Sequence, residues 1–181
     1  MRNFKTEGIV IRRRNSGEAD RIITVFTKYH GKMQIKAAGV RRIVSRRSSH
    51  IELLNYSIVT LYKGHGMPVL TEAQTLCDYA GIKENLKLIG IAYHLCELVD
   101  SLCAENQENT RVFLLFHNTL RDLSDGHDPK QVVHAFEKAI LYELGFSSHL
   151  LLTNTADTHA AIENILERKL KTTPLLSHFI S

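Results

Sequence analysis

Two periods divide this chain. In the first, apolar and polar residues alternate, as in a strand with one buried face. Lys5–Arg14 (KTEGIVIRRR) sets Ile9, Val10 and Ile11 ahead of three arginines, and predicts a strand whose solvent face ends in Arg12, Arg13 and Arg14. Asn15–Glu18 has turn composition. Arg21–Tyr29 predicts a second strand, and His30-Gly31-Lys32 a tight turn. Met33–Val40 predicts a third, with Met33, Ile35 and Ala37 on one face. Ile51–Lys63 predicts a fourth, Gly64-His65-Gly66 a hairpin turn, and Met67–Leu76 a fifth. Pro68 falls near a strand start, where it is tolerated. Five strands at spacings near a dozen residues predict a small barrel or sandwich.

The period then lengthens to three or four. Leu86–Leu102 carries Leu86, Ile89, Gly90, Tyr93, Leu95, Cys96 and Val99 as an amphipathic stripe. Thr110–Leu123 predicts a second helix through Val112, Leu115, Phe116 and Leu120. A third opens at Pro129 and runs to Leu144, with Gly145 placed to end it. Ser147–Asp157 reads as a linker, Thr158–Lys171 as a fourth helix, and Thr172-Thr173-Pro174 as a break before an apolar tail that docks back. The expected fold class is α+β: a five-stranded barrel or sandwich over residues 1–80, then an all-α domain over 81–181.

Composition narrows the function classes. The chain has 181 residues, 44% hydrophobic and 23% charged, which is ordinary for a globular protein. No apolar run approaches the roughly 18 residues that span a bilayer. The first residues lack the apolar core of a signal peptide, so a cytoplasmic location is expected. Cys77, Cys96 and Cys103 show no CxxC spacing, and no histidine pair has metal-ligand spacing on a helical face, so no metal and no cofactor is expected. Walker A and Gly-x-Ser-x-Gly motifs are absent, and no paired acids suggest acid–base work. Glu18 and Asp20, beside Arg21, read as a turn cap or ion pair. An enzyme is the least favoured class.

Charge sharpens the picture. Residues 1–50 hold thirteen Lys and Arg against three acids, a net +10 within a chain whose total is only +4. The densest part is Ala37–His50 (AAGVRRIVSRRSSH), a mobile cationic loop with Arg41, Arg42, Arg46 and Arg47 and no acid. Such a loop repels itself until an anion neutralises it. OB-type barrels bind single-stranded nucleic acid on one sheet face and its loops, with phosphates on Arg and Lys and bases on aromatic rings. The candidate contacts are Arg12, Arg13, Arg14, Arg21, Lys32, Lys36 and the four loop arginines. If about six of them meet phosphates, affinity falls about 10³-fold between 50 and 200 mM salt. Phe4, Phe26, Tyr29, Tyr56 and Tyr62 supply one or two stacking platforms.

The order of these features resembles the bacterial recombination mediator family RecO. The resemblance is carried by KTEGIVIRRR at Lys5–Arg14, GEADRIITVFT at Gly17–Thr27, GKMQIKAAGVRR at Gly31–Arg42 and SRRSSHIELLN at Ser45–Asn55. It continues through TEA at Thr71–Ala73, AYHLCELVD at Ala92–Asp100 and AFEKAILYELGF at Ala135–Phe146. It implies an OB fold followed by a helical domain. It also implies binding of single- and double-stranded DNA, annealing of complementary strands and, with RecR, loading of RecA onto strands coated by single-stranded-DNA-binding protein (SSB). Activity at the nucleoid and no nucleotide cofactor follow from it. Many members carry a four-cysteine zinc site after the segment matching Leu144-Gly145-Phe146. Here SSHLLLTNTADTH follows with no cysteine, so zinc is not expected. Two other readings stay open: a general OB module for single-stranded DNA or RNA without mediator activity, and an adaptor whose arginines meet acidic protein surface.

Overall fold

The fold is that of a computed structural model, in which residues 2–146 and 155–179 are described. Two compact units are present. One is Met1–Asp78 with Cys103–Thr110, the other Tyr79–Leu102 with Arg111–Ser181.

The first unit is a closed barrel of five strands in the order β1-β2-β3-β5-β4. The strands are β1 (Arg2–Ser16), β2 (Asp20–Thr27), β3 (Gly31–Ala37), β4 (Tyr56–Lys63) and β5 (Val69–Cys77). The length of β1 makes closure feasible. Its first half pairs antiparallel with β4, from Arg2 opposite Lys63 to Ile9 opposite Tyr56, and its second half pairs with β2. The strand turns the corner at Gly8 and at a bulge between Val10 and Arg12. A Cβ on Gly8 would run into the Val25 side chain, so a residue without one belongs at the bend. On the other side β3 meets β5 in parallel at a single register pair, Lys36 opposite Val69, reinforced by Lys36 N–H donating to Pro68 O at 2.8 Å.

The predicted alternation sorts the barrel core. Val10, Ile23, Val25, Met33, Ile35, Val59, Leu61 and Leu70 fill it. The fourth strand is shorter than the sequence predicts. Ile51 ends a short 3₁₀ turn (Ser49–Ile51), Leu54 adopts φ 70°, and pairing starts only at Tyr56. Ile51 and Leu54 are buried, and Ile51 belongs to the barrel core, so these apolar residues plug the barrel rather than alternate along a ladder. Asn55 holds the plug. Its Nδ2 donates to Ser49 O at 2.8 Å, and its carbonyl accepts from Val10 N–H at 3.1 Å.

Cys103–Thr110 belongs to the barrel unit although helices flank it in sequence. Asn106 N–H donates to Lys32 O at 2.9 Å, and Gln34 Nε2 donates to Glu105 Oε1 at 2.8 Å. The contact is made at Gly31, which has φ 66° and lies against the backbone of Gln107.

The helical unit comprises α1 (Ala80–Lys83), α2 (Leu86–Leu102), α3 (Thr110–Ser124), α4 (Pro129–Glu143), α5 (Thr155–Leu166) and α6 (Thr173–Phe179), with Thr110 itself counted in the barrel unit. Pro129 opens α4 behind an Asp128 cap, whose carboxylate accepts Lys130 N–H, and Gly145 at φ 86° follows its end. The face of α2 is rotated from the expected one. Leu86 and Tyr93 are exposed, whereas His94 and Leu98 are fully buried. A buried histidine is invisible to a hydrophobic count, which shifts the phase of the apparent stripe. The fourth predicted helix starts earlier, at Thr155, and ends at Leu166, with Glu167 at φ 52° just after it. The break at Thr172–Pro174 opens a short helix, because proline suits a first turn. Its Phe179 ring seats on Gly90 of α2, as the docking tail requires. The expected linker and the cysteine-free stretch after Phe146 fall largely on residues 147–154, outside the described residues. Among the described residues no helix is long and apolar enough to cross a membrane.

Candidate nucleic-acid interface

The β1–β2 hairpin runs past the pairing of β1 with β4, so its tip stands free of that sheet. Arg14 and Arg21 lie there, with Arg12 and Arg13 just behind. The loop after β3 folds beside this tip. Arg41 N–H donates to Ala19 O at 2.9 Å, and Arg41 Nη1 donates to Gly17 O at 3.1 Å. Asp20 ties the two segments together. Its Oδ1 accepts Gly39 N–H at 2.8 Å, and its Oδ2 pairs with Lys36 Nζ at 3.2 Å. Asp20 thus accepts a backbone N–H and makes an ion pair, but with Gly39 and Lys36 beyond the hairpin rather than within its own turn or with Arg21.

The loop is not the loose tract its composition suggests. Arg42 N–H donates to Gly39 O, Ser45 N–H to Arg42 O and His50 N–H to Arg47 O, a run of consecutive turns. Arg47 is built into the barrel. Nη1 donates to Leu70 O at 2.7 Å and Nη2 to Ala38 O at 2.9 Å, so one guanidinium clasps the seam between β3 and β5. An open cleft of about 540 Å³ runs along the loop, lined by Asp20, Gly39, Arg42, Val44, Arg46 and Arg47 among others.

The ten candidate cations therefore divide. Arg14, Arg42 and Arg46 are exposed, and among the described residues their side chains make no hydrogen bond or ion pair. Arg12 is exposed as well, and Arg41 is exposed but bonded through one amine. Arg13 and Arg21 both pair with Glu52, the latter at 3.7 Å, and Arg21 Nε also donates to Asn15 Oδ1. Lys36 is held by Asp20. Lys32 is only 7% exposed beside the Cys103–Thr110 segment, so it is not brought to the basic surface. Sequence separation hides that cover, because Glu105 lies 71 residues from Gln34.

Two features of this surface go beyond the sequence reading. Ile43 and Val44, between the arginine pairs, are 105% and 85% exposed. Apolar residues at such a tip can wedge against unstacked bases while the flanking guanidinium groups hold phosphates. Their position is legible in the sequence, but their exposure is not, because β-branched residues in a loop more often turn inward. The aromatic platform is also placed elsewhere. Phe26 is fully buried, whereas Tyr29 is half exposed. Phe4 and His30 have ring centroids 5.1 Å apart, and together with Tyr29 and Lys63 they line a second cleft of about 820 Å³. This cleft and the arginine loop sit at opposite ends of β2, about 23 Å apart at strand rise.

The Gly39 N–H, and after it the Lys36 ammonium, hold the Asp20 carboxyl below its ordinary value of 3.8. A lowered folded pKa makes this contribution to stability fully present above the ordinary value and lost as pH falls through the lowered one. Asp20→Asn keeps an oxygen for Gly39, removes that acid-side dependence and releases Lys36. The expected result is an affinity for single-stranded DNA higher by about fivefold at low salt, read by fluorescence anisotropy. An affinity unchanged or lower would show that Lys36 and Asp20 lie off the path of the ligand.

The family model described as "Recombination protein O N terminal" matches residues 1–79, and "Recombination protein O C terminal" matches residues 83–170. A DNA repair protein RecO from Roseiflexus sp. (strain RS-1) is 36% identical over 149 residues, covering 82% of this chain and 52% of that protein. A DNA repair protein RecO from Acetivibrio thermocellus is 37% identical over 148 residues, 81% of this chain and 59% of the relative. One from Listeria innocua is 30% identical over 141 residues, 78% and 55% of the two chains. The chain spans little more than half the length of the curated relatives it matches.

Proposed function

The chain belongs to the recombination protein O (RecO) family, and from that premise we propose that it is a non-catalytic mediator of DNA repair and recombination. In this reading its barrel binds single- and double-stranded DNA and brings complementary strands together. With RecR it helps to load RecA onto single strands coated by SSB, in the cytoplasm at the nucleoid. The observation that carries the reading is the fused hairpin and loop. It sets Arg14, Arg42 and Arg46 free around an exposed Ile43–Val44 tip. Free guanidinium groups take phosphates in bidentate fashion without first breaking a protein ion pair. The apolar tip contacts bases without reading their edges, so contact is tolerant of sequence, as annealing requires. Such an interface neutralises both strands while leaving their pairing edges open.

The test is the annealing rate of two complementary oligonucleotides at low salt, followed by dye displacement. The expected result is a rate several-fold above the spontaneous one, falling steeply as salt rises. Annealing no faster with the protein than without it overturns the mediator reading. Competition between single-stranded DNA and RNA of one sequence then decides whether a general nucleic-acid module remains.

A further inference from the structure

The helical unit contains a polar cluster that nucleic-acid binding does not use. His94 on α2, Glu137 on α4 and His159 on α5 converge inside it. The His94 and Glu137 side chains are fully buried, and that of His159 is 16% exposed. Glu137 Oε1 lies 2.9 Å from His94 Nε2 and 3.1 Å from His159 Nδ1. The two rings stack within 3° of parallel, centroids 5.2 Å apart. Glu137 Oε2 is buried with no hydrogen-bond partner among the described residues. A carboxylate oxygen left so is costly, and its lack of a partner asks for an explanation.

The hydrogen bonds behind His94 set the direction of its lone pair. Glu97 accepts from Lys171 N–H and Thr172 N–H, each at 2.9 Å, and from Arg168 Nη1 at 3.3 Å. A carboxylate in that company is ionised and only accepts, so it takes the Thr172 hydroxyl proton at 2.7 Å. The same hydroxyl oxygen lies 2.8 Å from His94 Nδ1. With its proton given to Glu97, it accepts, and Nδ1 carries the hydrogen. A neutral His94 then aims the Nε2 lone pair at Glu137 Oε1, another acceptor, at 2.9 Å. Two lone pairs hold that distance only with positive charge between them.

We propose that the charge is a divalent transition-metal cation, zinc foremost, held by His94 Nε2, His159 Nδ1 and the Glu137 carboxylate as a brace joining α2, α4 and α5. Two imidazoles and a carboxylate are a zinc-type donor set. Tetrahedral bonds of about 2.0–2.1 Å place neighbouring donors about 3.3 Å apart. The three donor atoms lie within 4.8 Å of one another, a spread that reaches this spacing with small side-chain shifts. Glu137 Oε2 is positioned to bind the cation or a bound water. The Nδ1–H to Thr172 to Glu97 chain is the outer support that metal-ligating histidines use to fix their tautomer. Burial makes the site structural rather than catalytic. Sequence spacing could not reveal it, because the ligands come from three helices with no local motif.

The experiment uses the full chain, stripped with a chelator and titrated with zinc by calorimetry, with the melting temperature followed in parallel. The expected result is one zinc per chain and a melting temperature that rises with it. Glu137→Gln and His159→Asn should each weaken binding at least a hundredfold. Thr172→Val, which leaves all three ligands in place, should weaken it about 10–100-fold. If Glu137→Gln does not fold, His159→Asn at the partly exposed edge carries the comparison. Cobalt in place of zinc should give ligand-field bands without a thiolate charge-transfer band. Absence of saturable zinc binding, unchanged binding in the ligand variants, or a thiolate band from Cys77, Cys96 or Cys103 each overturns the proposal.

Discussion

Replacing Arg42 and Arg46 together by glutamate lowers affinity for a single-stranded oligonucleotide by about a hundredfold or more at low salt. The salt dependence flattens with it, by about 0.7 of a logarithmic unit for each phosphate no longer neutralised. The melting temperature barely moves. Both side chains are exposed and make no hydrogen bond or ion pair among the described residues, and Arg42 acts on the Asp20 carboxylate only through space, so the fold depends little on them. The weaker binding comes from two missing charge-assisted hydrogen bonds and from new repulsion against the phosphates. Arg47→Ala behaves in the opposite way. It leaves Leu70 O and Ala38 O without their donor and lowers stability by about 2 kcal/mol or more. Treating the four loop arginines as equivalent would mix these effects. A salt slope unchanged in the Arg42/Arg46 variant would move the DNA path off this loop and return the adaptor reading to the front. Anisotropy titrations from 50 to 200 mM salt, with a thermal melt of each variant, separate the outcomes.

The largest expected loss of stability is at Gly31. Gly31→Ala puts a Cβ on a residue at φ 66° and drives it into the backbone of Gln107. Left-handed backbone alone costs an alanine about 1–2 kcal/mol. The clash is with main chain, which cannot swing aside as a side chain can. Relief requires Cys103–Thr110 to withdraw, which breaks the Asn106–Lys32 and Gln34–Glu105 hydrogen bonds. The sum is about 3 kcal/mol or more. Gly17 is the internal control, because at φ 60° it has open space around it. Gly17→Ala should cost only the backbone part, about 1–2 kcal/mol. Urea unfolding of both variants measures the difference. Equal losses at the two sites would show that the Gln107 segment yields freely.

What the sequence reveals follows from where each signal is local. Alternation in Met33, Ile35 and Ala37 places β3 and its buried face, since a strand's period acts over a few residues. Pro129 and Gly145 bracket α4 for the same reason. The plug at Ile51 and Leu54 reads as strand in the sequence, because consecutive apolar residues fit a buried strand and a turned segment equally well. The basic surface is legible as charge but not as geometry. Arg13 and Arg21 are occupied by Glu52, and Lys32 is covered by residues about seventy positions away; both depend on contacts that no window of sequence spans. The His94–Glu137–His159 cluster is the extreme case, because three unremarkable polar residues acquire their chemistry only when three helices meet.

The clasp made by Arg47 has a consequence for how binding and folding communicate. The β3–β5 seam has one register pair, so it is the thinnest join in the barrel and the first place expected to open. The side chain that fastens it belongs to a loop strained by its own positive charge. A polyanion that settles on Arg42 and Arg46 removes that repulsion and favours the loop geometry in which Arg47 reaches across. Nucleic acid held there would thereby fasten the barrel wall from the loop. Amide protons near Lys36 and Leu70 should exchange more slowly when the loop is occupied, and the barrel's opening rate becomes a reporter of what the loop holds.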